Sequence, residues 1–186
     1  QGSSFQAVSD ASGDFSLQNV PFGTYTLVYE KSGYGTYKKF DIEHNSSSTF
    51  IVNNPSLGQI SSTTIANLTS GTANGGATVV VGATTDPVAN NGNPKYIQFF
   101  FSIQSNVNSN SYDAVLDPIQ AQITPYNLNL TEEALEALGF QSGQTIYVKC
   151  YGTSYFGNHY DDPDLERTIF PNLNSTTSTS VSFVVP

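Results

Sequence analysis

Short stretches in which apolar and polar residues alternate one for one recur along this chain, and each soon runs into glycine, proline or asparagine. Phe15 and Leu17 are in phase, as are Tyr25, Leu27 and Tyr29, and then Phe40 and Ile42. The run Tyr96-Ile-Gln-Phe-Phe-Phe-Ser102 puts Ile97, Phe99 and Phe101 on one face and Tyr96, Gln98 and Phe100 on the other. A period of two with aromatic and β-branched residues is the mark of β-strands. The punctuation has its own logic. In Asp10-Ala-Ser-Gly13 the aspartate can bond its own backbone and glycine accepts a positive φ, while Pro21-Phe-Gly23 presets one φ and frees another. Such a chain folds as strands joined by tight reversals, and the fold class read from it is all-β.

The strands so read fall into two groups. The first covers 1–8, the Phe15–Leu17 region, the Tyr25–Tyr29 and Phe40–Ile42 regions, and 49–52. Asn53-Asn-Pro-Ser-Leu-Gly58 breaks the pattern and marks a domain boundary, giving a domain at 1–54 and a second at 59–186. In the second group the strands are 60–68, 77–84, Lys95–Ser102, 145–152 and 178–185. One helix is expected over 129–139, with Asn129 as its cap, Glu132 three residues on and Gly139 closing its end.

Composition narrows the function. Only 11% of residues are charged, against roughly a quarter in ordinary soluble domains, so the polar surface comes from Ser, Thr, Asn, Gln and Gly. Six Lys and Arg face fifteen Asp and Glu, a net charge of −9. That leaves no basic face to displace counterions, which argues against nucleic acid and anionic membranes as partners. The lone Cys150 allows no internal disulfide, and its phase with Ile146 and Val148 marks it as a buried thiol. No stretch approaches the ~20 apolar residues that cross a bilayer. A polar, aromatic-rich surface without disulfides fits a bacterial protein that is exported, its targeting segment removed.

The series Asp10-x-x-Gly13-x-Phe15-x-Leu17-x-x-Val20-Pro21-x-Gly23-Thr24-Tyr25-Thr26-Leu27, followed by Gly33-Tyr34, resembles the carboxypeptidase regulatory-like domain. The resemblance implies a transthyretin-like β-sandwich of roughly seven strands, with two more strands before the one at 1–8, so that the first domain is N-terminally incomplete. Gly143-Gln-Thr-Ile-Tyr-Val-Lys-Cys-Tyr-Gly152 is similar to the sixth strand of a fibronectin type III or immunoglobulin-like sandwich of the kind found in Bacteroidetes surface proteins. On that reading 160–185 forms the closing hairpin. Together the resemblances imply a non-catalytic structural, adhesive or scaffolding module of a periplasmic or outer-membrane surface protein. They further imply a lipid anchor upstream, with other surface proteins or glycans as partners.

Candidate chemistry is sparse. Gly152-Thr-Ser154-Tyr-Phe-Gly157 is one residue too long for a nucleophile elbow and follows a strand that leads into no helix. The loop Gly71-Thr-Ala-Asn-Gly75-Gly76 lacks the Lys-Ser/Thr of a phosphate loop. No catalytic residue is assigned. A calcium site would draw on Asp161, Asp162, Asp164 and Glu166, but Pro163 interrupts the alternate spacing of oxygens that such loops use, which favours a plain solvated turn and no cofactor. The alternative function is a carbohydrate-binding module. Tyr151, expected with Tyr147 on the outer face of its strand, would join Tyr155, Phe156 and Tyr160 as flat rings for stacking on sugars, beside carboxylates and amides.

Overall fold

A computed structural model describes residues 4–186. It divides the chain into two compact units. Unit 1 comprises the described residues up to Val28 together with Lys38–Asn54, and unit 2 comprises Tyr29–Tyr37 together with Pro55–Pro186.

Unit 1 holds most of a two-stranded sheet of β1 (Gly23–Tyr29) and β2 (Tyr37–His44), whose end residues Tyr29 and Tyr37 are counted in unit 2. Tyr25, Leu27 and Tyr29 are the half-buried positions of β1, in the phase the sequence sets. The turn at Asp10 forms as read. Asp10 Oδ1 accepts from the amides of Ser12 at 2.8 Å and Asp14 at 3.0 Å, and Gly13 takes φ 87°. Its flanks do not become strands, however. Ser4–Val8, the stretch through Phe15 and Leu17, and 49–52 all lie outside regular structure, and residues 1–3 of the expected first strand fall outside the described residues. Phe15 and Leu17 keep their inward phase without a ladder. His44 ties the unit locally: Nε2 donates to Val20 O at 3.1 Å, which leaves Nδ1 to accept from Thr49 Oγ1 at 2.7 Å.

Unit 2 is a sandwich of two sheets. One has the order β12-β9-β5-β6, with β7 also on β5, from β5 (Lys95–Ser102), β6 (Ala114–Val115), β7 (Ile119–Ala121), β9 (Thr145–Thr153) and β12 (Val181–Val184). The other has the order β3-β4-β8, from β3 (Thr64–Ala73), β4 (Thr78–Asp86) and β8 (Tyr126–Thr131). Every pairing within them is antiparallel. Ile65, Leu68, Val79, Val81, Ala83 and Leu130 from the smaller sheet meet Ile97, Phe99, Phe101, Ile146, Val148, Cys150 and Phe183 from the larger. A separate hairpin is formed by β10 (Tyr160–Asp162) and β11 (Arg167–Ile169), so the expected closing pair over 160–185 is split. β10 pairs with β11 in a sheet of their own, and β12 pairs with β9.

The helix α1 is shorter than expected, spanning Glu132–Ala137, and its cap is Thr131, whose Oγ1 accepts from Ala134 N at 3.2 Å. Asn129 is still inside β8, because the alternation Tyr126, Leu128, Leu130 carries that strand on to Thr131. The helix closes as read. Gly139 takes φ 92°, its amide bonds Glu136 O, and Phe140 N reaches back to Leu135 O. Leu135 is fully buried in the core.

The outer face of the larger sheet is covered. Phe100, Val107 and Tyr151 form a second apolar cluster with Tyr112, Val115, Tyr147, Phe170 and Leu173 against them. Three rings surround Phe100 edge-on, at 5.2 Å for Tyr112, 5.3 Å for Phe170 and 5.5 Å for Tyr151. Edge-to-face contacts at such distances match the electron-rich faces of aromatic rings to their positive edges.

Candidate functional site

The register of β5 against β9 builds the site. Tyr96 pairs with Thr153, the last residue of β9, so the chain leaving β9 passes beside Tyr96. Two residues on, the Tyr155 ring comes to rest with its centroid 5.4 Å from that of Tyr96, inclined at 60°. Tyr96 is half-buried, whereas Tyr155 is 81% exposed. Together they make an aromatic ledge.

Beside it lies an open recess of about 220 Å³ lined by 59–63, 94–96, Thr153 and Ser154. Apart from Ile60, Pro94 and Tyr96, the lining carries hydroxyls, an amide and one ammonium. Close packing holds Thr63, one of the lining residues, in place. A Cβ on Gly152 would collide with Thr63 O, so only glycine lets β9 approach this segment.

Asn172 anchors the loop that carries Tyr155. Its side chain is 3% exposed, and its Nδ2 donates to Ser154 Oγ at 3.0 Å and to Phe156 O. Its backbone carbonyl accepts from Ser61 N at 2.9 Å on the recess wall. Glycine is needed at two neighbours of this amide: a Cβ on Gly35 would stand 2.6 Å from Asn172 Oδ1, and one on Gly58 would stand 2.2 Å from Nδ2.

The four aromatic candidates therefore part company. Tyr155 is the exposed platform, and Phe156, 47% exposed, follows it in the loop. Tyr151 is not on the surface. It is 7% exposed, packs on Phe100, and its hydroxyl accepts from Ser109 N at 3.3 Å. The alternation placed it correctly opposite Ile146 and Val148, but that side of the sheet is covered. Tyr160 is half-buried in β10, its ring 5.1 Å from that of Tyr37.

The acidic hairpin is organised as a turn. Asp162 is 1% exposed, and its Oδ1 accepts from the amides of Asp164 at 3.1 Å and Leu165 at 3.3 Å. Asp161 accepts from Thr168 Oγ1 across the hairpin at 2.6 Å. Glu166 takes φ 50° and delivers the chain into β11, while Asp164 is exposed. Among the described residues, no three His, Cys, Asp or Glu side chains group so as to hold a metal ion. Cys150 is fully buried, and that burial pushes its thiol well above the ordinary 9.0.

Tyr96 and Asn172 are the site residues that sequence reasoning missed. The signal for Tyr96 was its place one residue after Lys95 at the start of β5, but pairing it with the loop after β9 required the register. Nothing local marks Asn172.

The fold and its exposed site define an all-β sandwich protein with an aromatic ledge over a hydroxyl-lined recess. No protein-family model matches the chain, and no curated protein matches it. Among solved structures it is similar to one from Bacteroides uniformis ATCC 8492 described as a "putative carbohydrate binding protein". That similarity covers 93% of this chain and 79% of that one, at 14% identity and a TM-score of 0.40.

Proposed function

We propose that this chain is a non-catalytic binding module of an exported bacterial surface protein, and that it works in adhesion by holding glycan at the Tyr155–Tyr96 ledge. One observation carries the reading: a tyrosine ring 81% exposed is held in place by a second ring, at the rim of a recess lined mainly by Ser, Thr and Gln. A sugar ring presents an apolar face of C–H groups and an equator of hydroxyls. The ledge offers a flat surface for the first, and the recess offers donors and acceptors for the second. Because Tyr155 is prepositioned by Tyr96 and by the Asn172-fastened loop, little side-chain freedom is lost on binding. The surface placement and the anchor upstream rest on the low-charge composition and on the carboxypeptidase regulatory-like pattern of residues 10–34.

The test is calorimetric titration of the chain with a panel of soluble polysaccharides. At least one is expected to bind, and Tyr155→Ala to weaken it about tenfold or more, the loss of an interfacial aromatic anchor, with the melting temperature unchanged. If no polysaccharide binds, or if Tyr155→Ala binds as the parent does, the reading is wrong.

A further inference from the structure

Thr153 ends β9 directly opposite Tyr96 in the β5 ladder. Residues paired across two strands project to the same side of a sheet, so the Thr153 side chain stands on the face that carries the inner ring of the ledge. The chain then runs through Ser154 to Tyr155, whose ring rests on that same Tyr96. Thr153 also lines the recess, although it is only 7% exposed.

The hydroxyls around the recess are not equivalent. Ser154 Oγ accepts from Asn172 Nδ2 at 3.0 Å and donates to Phe156 O at 3.1 Å, so its proton is committed to the loop. Ser61 Oγ accepts from Thr63 N at 3.1 Å. Thr153 Oγ1, by contrast, bonds no group of the protein among the described residues. Polar groups so nearly buried are almost always partnered, because leaving one unpaired costs free energy. Nor is this oxygen sealed inside: among the described residues, the buried side-chain polar atoms without a partner belong to Asn158 and Asn172. It keeps an opening to solvent, and the recess is the opening that Thr153 lines.

From these observations, and resting on the glycan reading above, we infer that Thr153 sets specificity at the ledge: with a sugar ring stacked on Tyr155, Thr153 Oγ1 bonds one hydroxyl at the edge of that ring. A threonine hydroxyl both donates and accepts, which complements a sugar hydroxyl. A site built to bond a hydroxyl rejects the analogue that lacks it, because its own buried group is then left unpaired. The ligand is therefore a glycan whose contacted unit carries that hydroxyl, and the deoxy counterpart is discriminated against.

The experiment is calorimetric titration with soluble xyloglucan, galactomannan, pectic galactan and glycogen, then with an oligosaccharide fragment of the tightest binder and its monodeoxy analogues. Thr153→Val keeps the branched shape and removes the hydroxyl, and it should weaken binding about fivefold, the loss of one net hydrogen bond. Thr153→Ser should retain the affinity. So should Thr145→Val, the same change at the exposed far end of β9. One monodeoxy analogue should bind the parent about fivefold more weakly than the intact fragment does, yet bind Thr153→Val as well as the intact fragment does. A merely structural role for Thr153 would not produce that match. Unaltered affinity in Thr153→Val, a loss shared by Thr153→Ser or Thr145→Val, or the same deoxy penalties in Thr153→Val as in the parent overturns the inference but leaves the glycan reading standing. No binding to any of these polysaccharides, or binding indifferent to Tyr155→Ala, overturns both.

Discussion

The two units share a local pattern and differ in what it accomplishes. In unit 2, alternating strands from two sheets bury Val79, Val81, Ile97, Phe99, Phe101, Ile146 and Val148 completely. In unit 1 the alternation of Phe15, Leu17, Tyr25 and Leu27 is as regular, yet no described residue of the unit reaches full burial. Val8, Phe22, Phe50 and Val52 are each at least 66% exposed. The difference lies in strand number. Among the described residues this two-stranded sheet has no second sheet to close against, and an isolated hairpin is marginal in water. Alternation tells which way a side chain leans; only a second layer makes the lean into a core.

Paired substitutions in the two units can break that comparison. The largest effect should come from Phe99→Ala. It empties a fully buried position and should destabilise the chain by about 3–5 kcal/mol, whereas Tyr25→Ala, at the matching inward phase of β1, should cost about 1 kcal/mol or less. Denaturant unfolding followed by circular dichroism measures both, and equal costs would mean that unit 1 has a core of its own.

Alkaline pH gives an intermediate effect, confined to unit 2. Burial raises the Cys150 thiol well above 9.0, and also raises the Tyr29 and Tyr112 hydroxyls above 10.0. Each group holds its proton more tightly folded than unfolded. The stabilisation is therefore complete at neutral pH and is lost as pH climbs past the unfolded values, from about pH 9 upward. Melting temperatures taken across that range should fall, and Cys150→Ala should flatten the first part of the decline. A parent chain with a level profile would contradict the burial of these groups.

The smallest effect compares two aspartates with one job. Asp10 and Asp162 each accept two backbone amides in a turn, the first exposed and the second buried. Replacing Asp162 by alanine removes a buried side chain and the side-chain acceptor of the Asp164 and Leu165 amides, the latter keeping Asp162 O, and should cost about 1–3 kcal/mol. At Asp10 water takes over, and the change should stay within about 0.5 kcal/mol. The same unfolding curves report both.

These contrasts also mark how far the sequence could be read. β5 was legible to the residue because its alternation is strong on both faces and Pro94 precedes it. The Phe15–Leu17 region carried the same signal and formed no strand, since a ladder depends on a partner that local pattern does not encode. The cap of α1 moved from Asn129 to Thr131 because two capping residues lay two apart and the preceding strand claimed the first. At the site, exposure of Tyr155 and Phe156 could be read from their loop. The burial of Tyr151 could not, since it depends on Val107, Tyr112, Phe170 and Leu173 arriving from distant segments. Tyr96 and Asn172 were hidden for the same reason: their roles come from register and from a long-range clasp.

The most direct measurement is amide hydrogen exchange of the whole chain with and without a bound polysaccharide. The account predicts slow exchange in β4, β5 and β9, fast exchange through the described part of unit 1, and protection on binding concentrated at 59–63, 94–96 and 153–156. Protection gained only within residues 4–54, with the ledge and recess unchanged, would contradict it.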